Sequence, residues 1–348
     1  MILHRCAKRG EGVDFTKLKV DTEAMLCKLV RGTPVDEIYH KDAIWNGVHP
    51  FNEKQGHAEI AQVWDTLKQA LPDMERRTTL LVAGKNLPDN RVTEHRHPHL
   101  VACMGTYQGT FRHNLLGIPA TNGLVHIRFC EAHHIVDGKI AWSTVMLDFL
   151  DLMRQANVWP LAPSLGAEGQ WQAPASGTAL KLESTDALGG AESMNRVLQM
   201  HSALLGFDGK NLDSMPHSQY WTNDFLWYGP AGVGSTRGLP GFRAHHQIPF
   251  LKAFPDRAGA GHYIRVGDGD IAVTGGWPSV TATHTGEWLG VGPTGRKINM
   301  RVMDFYRFDG DKIAENWVPI DIIDIALQMG VDLFARVRHM SGQHPTHL

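Results

Sequence analysis

The chain has 348 residues and a formal charge of −2, from 34 lysines and arginines against 36 aspartates and glutamates. A near-neutral chain argues against nucleic acid or an anionic membrane as the main partner, because both require a basic surface. No apolar run reaches the ~18 residues that span a bilayer, and residues 1–12 lack the apolar core of a secretory signal, so we expect a cytoplasmic protein.

The first half of the chain is predicted to begin with helices. Apolar spacing favours a helix at about 22–31, a second helical stretch that leads to Trp45-Asn46-Gly47, and an amphipathic helix over 58–71. Four strand-like segments follow, with turn residues between them. Helices first and strands afterwards are typical of an α+β domain with an antiparallel sheet.

Residues 159–190 are predicted to be a linker. They are rich in proline, glycine, alanine and serine and show no apolar period. We expect this segment to lie over a protein surface, with Trp171 holding it in place.

The second half resembles the first. Residues 288–331 match residues 115–158 at a constant offset of 173 positions, which aligns Asp321 with Asp148 (321 − 148 = 173). Self-similarity of this kind indicates two like domains in tandem.

The order of predicted elements supports the same division. The second half has helices at 192–204 and 240–254, and four strand-like segments follow them as in the first half. We therefore predict one α+β domain over residues 1–158 and another over residues 191–348.

Two patterns resemble binding motifs but favour ordinary structure. The segment GVGPTG at 290–295 fits the dinucleotide fingerprint, yet the residues after it are predicted to form a strand rather than the required helix. His95, His97 and His99 alternate as metal ligands on a strand could, but Pro98 interrupts them and favours a solvated loop.

Cysteine usage also gives no sign of a metal site. The four cysteines lie in the first half and include no CxxC pair. We expect reduced thiols and no metal, since a disulfide framework or a zinc ribbon would space them differently. They are Cys6, Cys27, Cys103 and Cys130.

An acidic residue occupies the same aligned strand position in both halves. Alternating residues from Ile298 to Tyr306 share one mainly apolar face that includes Asp304, and the aligned face of the first half includes Glu131. Two interpretations stay open for these acids. Each is either a surface or capping acid at a strand end, or a carboxyl that lines an apolar cavity and exchanges protons near neutral pH.

Asp321 is the second candidate acid. It follows the last predicted strand, where a short helix begins, in the pattern Glu315-x-Trp317-x-x-x-Asp321-x-x-Asp324. One interpretation is an N-cap of that helix, which would contribute about 1 kcal/mol of stability. The other is a catalytic carboxyl at the mouth of the domain.

The C-terminal half of the chain resembles the SnoaL-like polyketide cyclases. The resemblance rests on the PTG turn, the DGDKIAE strand start, Trp317, Asp321 and the closing QMGV, with support from the earlier WYGPAG and AFPD segments. It covers roughly residues 20–158 and 191–335. It implies a fold like nuclear transport factor 2 and ketosteroid isomerase, in which helices wrap a curved antiparallel sheet into a cone with an apolar pocket.

The resemblance also implies an activity. Characterised members close a ring on an aromatic polyketide ester by intramolecular aldol condensation, without a metal or a Schiff base, so we expect no cofactor. The family's acid/base aspartate falls on Asp321 and, through the repeat, on Asp148. Because isolated family domains tend to dimerise through their sheets, we expect the two halves to form an intrachain pseudo-dimer, with a homodimer of the whole chain also possible.

The two halves differ near their predicted pockets, so the active copy stays open. The first half has Trp142 and Thr144 where the second has Glu315 and Trp317. His284 is either a proton shuttle or a strand-face histidine. The candidate substrate-binding residues are Trp45, Asn46, His49, His126, Glu131, Trp227, Tyr228, His284, Asp304 and Trp317.

Two functions from different classes follow from this sequence. The leading hypothesis is a cyclase or isomerase that uses general acid/base chemistry on a small apolar or aromatic carbonyl compound. The alternative is a non-catalytic binding protein, built as an intrachain pseudo-dimer, whose pockets hold an apolar ligand.

Overall fold

The computed structural model describes residues 12–342, so Cys6 lies outside the described residues. The helices of the first half are α1 (Phe15–Val30), α2 (Val35–Ile38), α3 (Gly56–Ala70) and α4 (Phe149–Gln155). Its strands are β1 (Tyr39–Gly47), β2 (Glu53–Gln55), β3 (Glu75–Lys85), β4 (His99–Thr110), β5 (Leu124–Val136) and β6 (Lys139–Leu147).

The second half repeats this order. Its helices are α5 (Ala187–Leu204), α6 (His217–Tyr220), α7 (Gly238–Phe242), α8 (Ile248–Ala253), α9 (Ile322–Gln328) and α10 (Leu333–Met340). Its strands are β7 (Trp221–Tyr228), β8 (Thr236–Arg237), β9 (Ala258–Gly259), β10 (Ile264–Asp268), β11 (Ile271–Thr283), β12 (Lys297–Asp309) and β13 (Lys312–Trp317). No helix within residues 12–342 is long and apolar enough to cross a membrane.

Each half forms one sheet with helices packed against it, which confirms the α+β class. The strand order is β2-β1-β6-β5-β4-β3 in the first half and β10-β11-β12-β13-β7-β8 in the second, where β9 also pairs with β11. The sheets are antiparallel except for β1 beside β6 and β7 beside β13, which run parallel. Four strands were predicted in each half, and β1 and β7 were not among them, because the segments around Trp45 and Trp227 were not recognised as strands.

Side-chain caps fix where the long helices begin. The Asp14 carboxylate accepts from the Lys17 backbone N–H, and the Asp186 carboxylate accepts from the Gly189 backbone N–H, so α1 and α5 start earlier than predicted. The helix predicted over 240–254 is interrupted by a π-helical turn just before Pro249. A proline in this position lacks the N–H that a regular helix needs, which accounts for the irregularity.

The backbones of the two halves approach closely at the edge strands β3 and β10. A Cβ on Gly84 would lie 2.7 Å from the carbonyl oxygen of Gly267, so no larger residue fits without movement. Beside this contact, Lys19 Nζ of α1 lies 2.8 Å from Asp268 Oδ2 of β10, and both side chains are buried. The contact therefore combines close backbone packing with a buried ion pair.

The segment between the halves lies against the second half. The Trp317 indole N–H donates to the Gln172 carbonyl oxygen (2.9 Å), and the Ala175 backbone N–H donates to the Glu315 carboxylate (3.1 Å). The Trp171 ring instead contacts the first half, with the Arg128 guanidinium 5.2 Å from its centroid.

Candidate active site

The second half contains a cavity of about 570 Å³ between its sheet and its helices. Its wall is mainly aromatic and aliphatic, and the Trp227 ring stacks on His246 with centroids 4.1 Å apart. The π-helical turn at Arg243–Gln247 brings His246 and Gln247 into this wall. The apolar side chains around them include Leu198, Met200, Met215, Trp221, Phe242, Phe250, Met300 and Val302.

Asp304 of β12 is a carboxyl in the lining of this apolar cavity. Burial raises its pKa to about 7, against opposing hydrogen bonds from the Asn316 and Tyr306 side chains. The carboxyl is therefore present in both protonation states near neutral pH.

A hydrogen-bonded chain extends from Asp304. The Tyr306 hydroxyl contacts Asp304 and lies 3.0 Å from His201 Nε2 on α5. Burial, with the positive charges of Arg265 and Arg91, lowers the pKa of His201 to about 4, so its ring is neutral at pH 7. A carboxyl, a phenol and a neutral imidazole thus share one apolar space.

The sheet register shows why the cavity exists in the second half. Arg76 of β3 pairs with Tyr107 of β4, whereas the equivalent register position pairs Gly259 of β9 with Val280 of β11. At these two positions the second half therefore has a glycine and a valine, whereas the first half has an arginine and a tyrosine, whose side chains are larger.

In the first half these two large side chains surround Glu131, the counterpart of Asp304. Arg76 Nη1 lies 2.8 Å from the Glu131 carboxylate, the Tyr107 hydroxyl donates to it, and His133 Nε2 is 3.3 Å away. Burial alone would raise the pKa of Glu131, but Arg76 and these hydrogen bonds lower it to about 2. Glu131 is fully buried and stays ionised at neutral pH.

The buried group around Glu131 is also the one set of metal-ligand side chains that comes together among residues 12–342. Its members are Cys103, Glu131 and His133. The Arg76 guanidinium already supplies the positive charge that balances this carboxylate. Burial raises the pKa of the Cys103 thiol, so a thiolate ligand is not favoured either.

Asp148 and Asp321 each cap a helix. The Asp148 carboxylate accepts from the Asp151 backbone N–H at the start of α4 (3.0 Å), and the Asp321 carboxylate accepts from the Asp324 backbone N–H at the start of α9 (3.1 Å). Neither residue lines the 570 Å³ cavity. Their geometry is that of the N-cap interpretation.

The same two carboxylates also join the halves. Asp321 accepts from the His49 backbone N–H of the first half (2.8 Å), and Asp148 accepts from the Ala231 backbone N–H of the second (3.2 Å). His49 lies four residues after Trp45, and Ala231 lies four residues after Trp227, so the two contacts are equivalent.

A buried arginine accompanies each capping aspartate. Arg128 Nη1 lies 3.2 Å from Asp148, and Arg301 Nη1 lies 3.1 Å from Asp321. Burial raises the pKa of Asp321 to about 7 and also raises that of Asp148, while the arginine opposes the shift in each case. Asp321 is buried and Asp148 is partly exposed, and both are hydrogen-bonded to protein groups.

Comparison with known proteins identifies the family. Residues 31–156 and residues 195–329 both match the family model described as SnoaL-like polyketide cyclase. The chain belongs to the SnoaL-like polyketide cyclase family. The two matches place one SnoaL-like domain in each half, which confirms the tandem arrangement predicted from the repeat.

Several solved structures are similar to part of the chain. A protein from Jannaschia sp. CCS1, named for its likeness to SnoaL polyketide cyclases, is 15% identical with a TM-score of 0.36 and covers 41% of this chain and 94% of its own. IdmH from Streptomyces antibioticus is 18% identical with a TM-score of 0.33, covering 40% and 99%. An NTF2-like protein from Burkholderia xenovorans LB400 is 15% identical with a TM-score of 0.32, covering 40% and 97%. The curated proteins include no match.

Of the predicted binding residues, Asp304 and Trp227 line the cavity of the second SnoaL-like domain. Tyr228 does not: its ring stacks on Trp317 (5.2 Å), and its hydroxyl bonds to Glu315. His284 is buried away from this cavity, where its Nδ1 lies 3.1 Å from the Thr294 hydroxyl.

The predicted binding residues of the first SnoaL-like domain are dispersed. Trp45 is fully buried against Phe51, and the Asn46 amide lies between Glu53 and Trp142. His126 Nε2 lies 3.3 Å from Asp151. His49 packs against Phe334. These side chains do not converge on one site.

The histidines at 95, 97 and 99 are half-buried, which differs from the solvated loop we expected. The His97 ring packs on His134 (4.6 Å) and on Trp142 (4.7 Å), while His95 contacts Tyr263 of the second domain (5.4 Å). The expectation from Pro98 missed these aromatic contacts because they come from other elements and from the other half.

Sequence reasoning missed the three histidines of the cavity. His201 lies on α5, His246 on the π-helical turn, and His262 next to β10, where its Nε2 is 2.9 Å from the Ser279 hydroxyl. His246 lies beside His245 in the sequence, and an adjacent pair points in different directions on a helix or strand, so the pair does not predict a shared site. The other two give no sequence signal, because they come together only in the folded domain.

Proposed function

We propose that this protein is an acid/base enzyme of the cyclase or isomerase type, acting on a small apolar carbonyl compound in the cavity of its second domain. The observation that carries the proposal is Asp304, a carboxyl in an apolar cavity whose pKa is raised to about 7. Such a group accepts and returns protons near neutral pH, which general acid/base catalysis requires.

In this scheme Asp304 takes a proton from the carbon beside a substrate carbonyl, and the electron pair moves into an enolate. The Tyr306 hydroxyl and the Asn316 amide are the nearby donors for the enolate oxygen. In aldol cyclisation the enolate carbon then bonds to a second carbonyl carbon, whose oxygen takes the proton from Asp304. In isomerisation the proton returns to a different carbon.

The scheme moves only protons and forms or shifts carbon bonds within one molecule. We therefore propose that the reaction uses neither a cofactor nor a metal, as expected from the family resemblance. The side chains of the second domain supply the base, the hydrogen-bond donors and the apolar surroundings.

Deuterium uptake at carbon tests this proposal. The enzyme in D2O is mixed with 1-tetralone, an aromatic ketone, and loss of the α-proton signal is followed by NMR. We expect Asp304→Asn to lower the enzyme-catalysed exchange rate by about a hundredfold or more, the range for loss of a general base. Asp309→Asn is the matched control, because Asp309 is exposed at the end of the same strand. Equal exchange by wild type and Asp304→Asn would reject Asp304 as the base.

The alternative is a binding protein without chemistry, built as an intrachain pseudo-dimer. The equivalent bonds from Asp321 to the first half and from Asp148 to the second support the pseudo-dimer. The aromatic cavity is suited to holding an apolar ligand whether or not a reaction occurs. Binding of 1-tetralone without exchange in any protein variant would favour this function.

A further inference from the structure

The rim of the cavity in the second domain carries three arginines, and one of them comes from the first domain. Arg257 follows α8, Arg265 lies on β10, and Arg91 lies in the loop between β3 and β4. The first domain therefore contributes a charged side chain to the cavity of the second.

One carboxylate serves two of these arginines. Asp89 accepts from Arg91 Nε (3.0 Å) and Nη2 (2.7 Å), from Arg265 Nη2, and from the His262 backbone N–H (2.9 Å). Its side chain is almost fully buried, and these donors hold the pKa of Asp89 well below its usual range. A single negative charge balances only one of the two guanidinium groups.

Arg257 makes no ion pair within residues 12–342. It is half-buried, and its guanidinium lies 5.6 Å from the Phe207 ring centroid. An arginine stays charged in proteins and is costly to desolvate without an acceptor. With Arg91, Arg265 and Asp89, it leaves the rim with a net charge of two positive units.

Other groups facing the cavity do not fully cancel this charge, because Asp304 is the one acid in its lining among the described residues and contributes at most one negative unit. Burial and the nearby arginines lower the pKa values of His201 and His262 to about 4 and about 3, so both rings are neutral at pH 7. Burial lowers the pKa of His246 to about 3 as well. No ion pair joins Asp304 to the arginines in the described part of the chain. At least one positive unit is therefore left for a ligand.

We propose that the cavity binds an organic anion, with an apolar body against Trp227 and Phe242 and an anionic oxygen group held at the rim by Arg257 and Arg91. Guanidinium groups present paired N–H donors that match carboxylate and phosphate oxygens. The inference rests on the proposed function, because it names the substrate class of the same cavity. It also gives the first domain a part in binding through Arg91.

Two fluorescent probes with the same aromatic body test the inference. 8-Anilino-1-naphthalenesulfonate carries an anionic group, and N-phenyl-1-naphthylamine lacks it. We expect wild type to bind the anionic probe at least about tenfold more tightly, and Arg257→Met to remove that preference while leaving the neutral probe unchanged. Arg237→Met is the matched control, because Arg237 is an exposed arginine of the same domain that does not line the cavity.

Two further experiments test where the probes bind and which anionic group the cavity prefers. Val280→Tyr restores the bulk that Tyr107 provides in the first domain and should weaken both probes. Displacement of the anionic probe by 1-naphthoate and by 1-naphthyl phosphate separates a carboxylate preference from a phosphate preference. Equal affinity for both probes, or no loss in Arg257→Met, would overturn the anion inference and leave the proposed function standing. Failure of both probes to bind would overturn both.

Discussion

In the first domain Glu131 is enclosed by Tyr107 and balanced by Arg76, while at the aligned position of the second domain Asp304 faces a cavity bordered by Gly259 and Val280. The strand pairing beside both acids is equivalent, except that β11 has a register shift between Gly276 and Val280 that β4 lacks. The arginine-tyrosine pair thus fills in the first domain the space that is a cavity in the second. The acid itself is common to both.

The same pair decides the charge of the acid at neutral pH. Glu131, beside Arg76, has a pKa of about 2, whereas Asp304, without a cation partner, has a pKa of about 7. A carboxylate that stays ionised beside a guanidinium is a poor proton carrier, and one that titrates near pH 7 is a good one. In the proposed function, the first domain is therefore a packed domain stabilised by its ion pair, and the second is the domain that binds substrate.

Removing the cation from the first domain should have the largest effect. Arg76→Met leaves the Glu131 carboxylate buried without its ion-pair partner, so we expect the free energy of unfolding to fall by about 3–5 kcal/mol. Urea unfolding followed by tryptophan fluorescence measures the change. Arg77→Met is the control, since Arg77 is exposed and should change stability by less than about 0.5 kcal/mol. Equal losses in both variants would contradict the ion-pair account.

Removing the charge from the second domain should have the opposite sign. Burial raises the pKa of folded Asp304 to about 7, so wild type loses stability as pH rises from about 4 to about 7 and the loss is constant above that. Asp304→Asn has no such loss, and we expect it to be more stable than wild type by up to about 4 kcal/mol at pH 8. The difference should vanish near pH 4.

Urea unfolding of wild type and Asp304→Asn at pH 4, 6 and 8 measures this dependence. Asp309→Asn, on the exposed end of the same strand, should show no comparable trend with pH. A stability difference that is the same at all three pH values would mean that Asp304 does not titrate in a buried site.

The fold could be predicted from the sequence, and the site only in part. The alternation of residues along β12 predicts that Asp304 and Tyr306 share one face of the sheet. This can be predicted locally, because successive side chains of a strand point to opposite faces. Whether that face meets a cavity depends on residues far away in the chain, such as Gly259 in place of an arginine. The position of Asp321 likewise depends on the His49 N–H, 272 residues away in the other half.

The strongest part of the repeat marks the framework that both domains share. Gln155 and Gln328 make equivalent bonds: each exchanges hydrogen bonds with the backbone of the neighbouring strand, at His126 and at Asn299. Residues that both copies need for folding are alike in both copies. A site present in one copy is found instead where the repeat is weak, as at Gly259.

Replacement of the two capping aspartates should have the smallest effect, and it tests the comparison of the two domains most directly. Asparagine is as good an N-cap as aspartate, and Asp324 and Asp151 still lie 3.5 Å from Arg301 and 3.1 Å from Arg128. At pH 4 we expect Asp321→Asn and Asp148→Asn each to lower the free energy of unfolding by about 1 kcal/mol, because an amide nitrogen cannot accept the N–H bond that joins the halves. Burial raises the pKa of both aspartates, so asparagine avoids the cost of a buried charge, and this loss should become smaller as pH rises.

The exchange assay separates this framework role from catalysis. If both aspartates only cap helices and join the halves, the two asparagine variants should keep 1-tetralone exchange within about tenfold of wild type. They should also resemble each other, because their contacts are equivalent. A loss of a hundredfold in Asp321→Asn alone would instead assign the base to Asp321, as the family resemblance implies, and would make the buried Arg301 pair part of the active site.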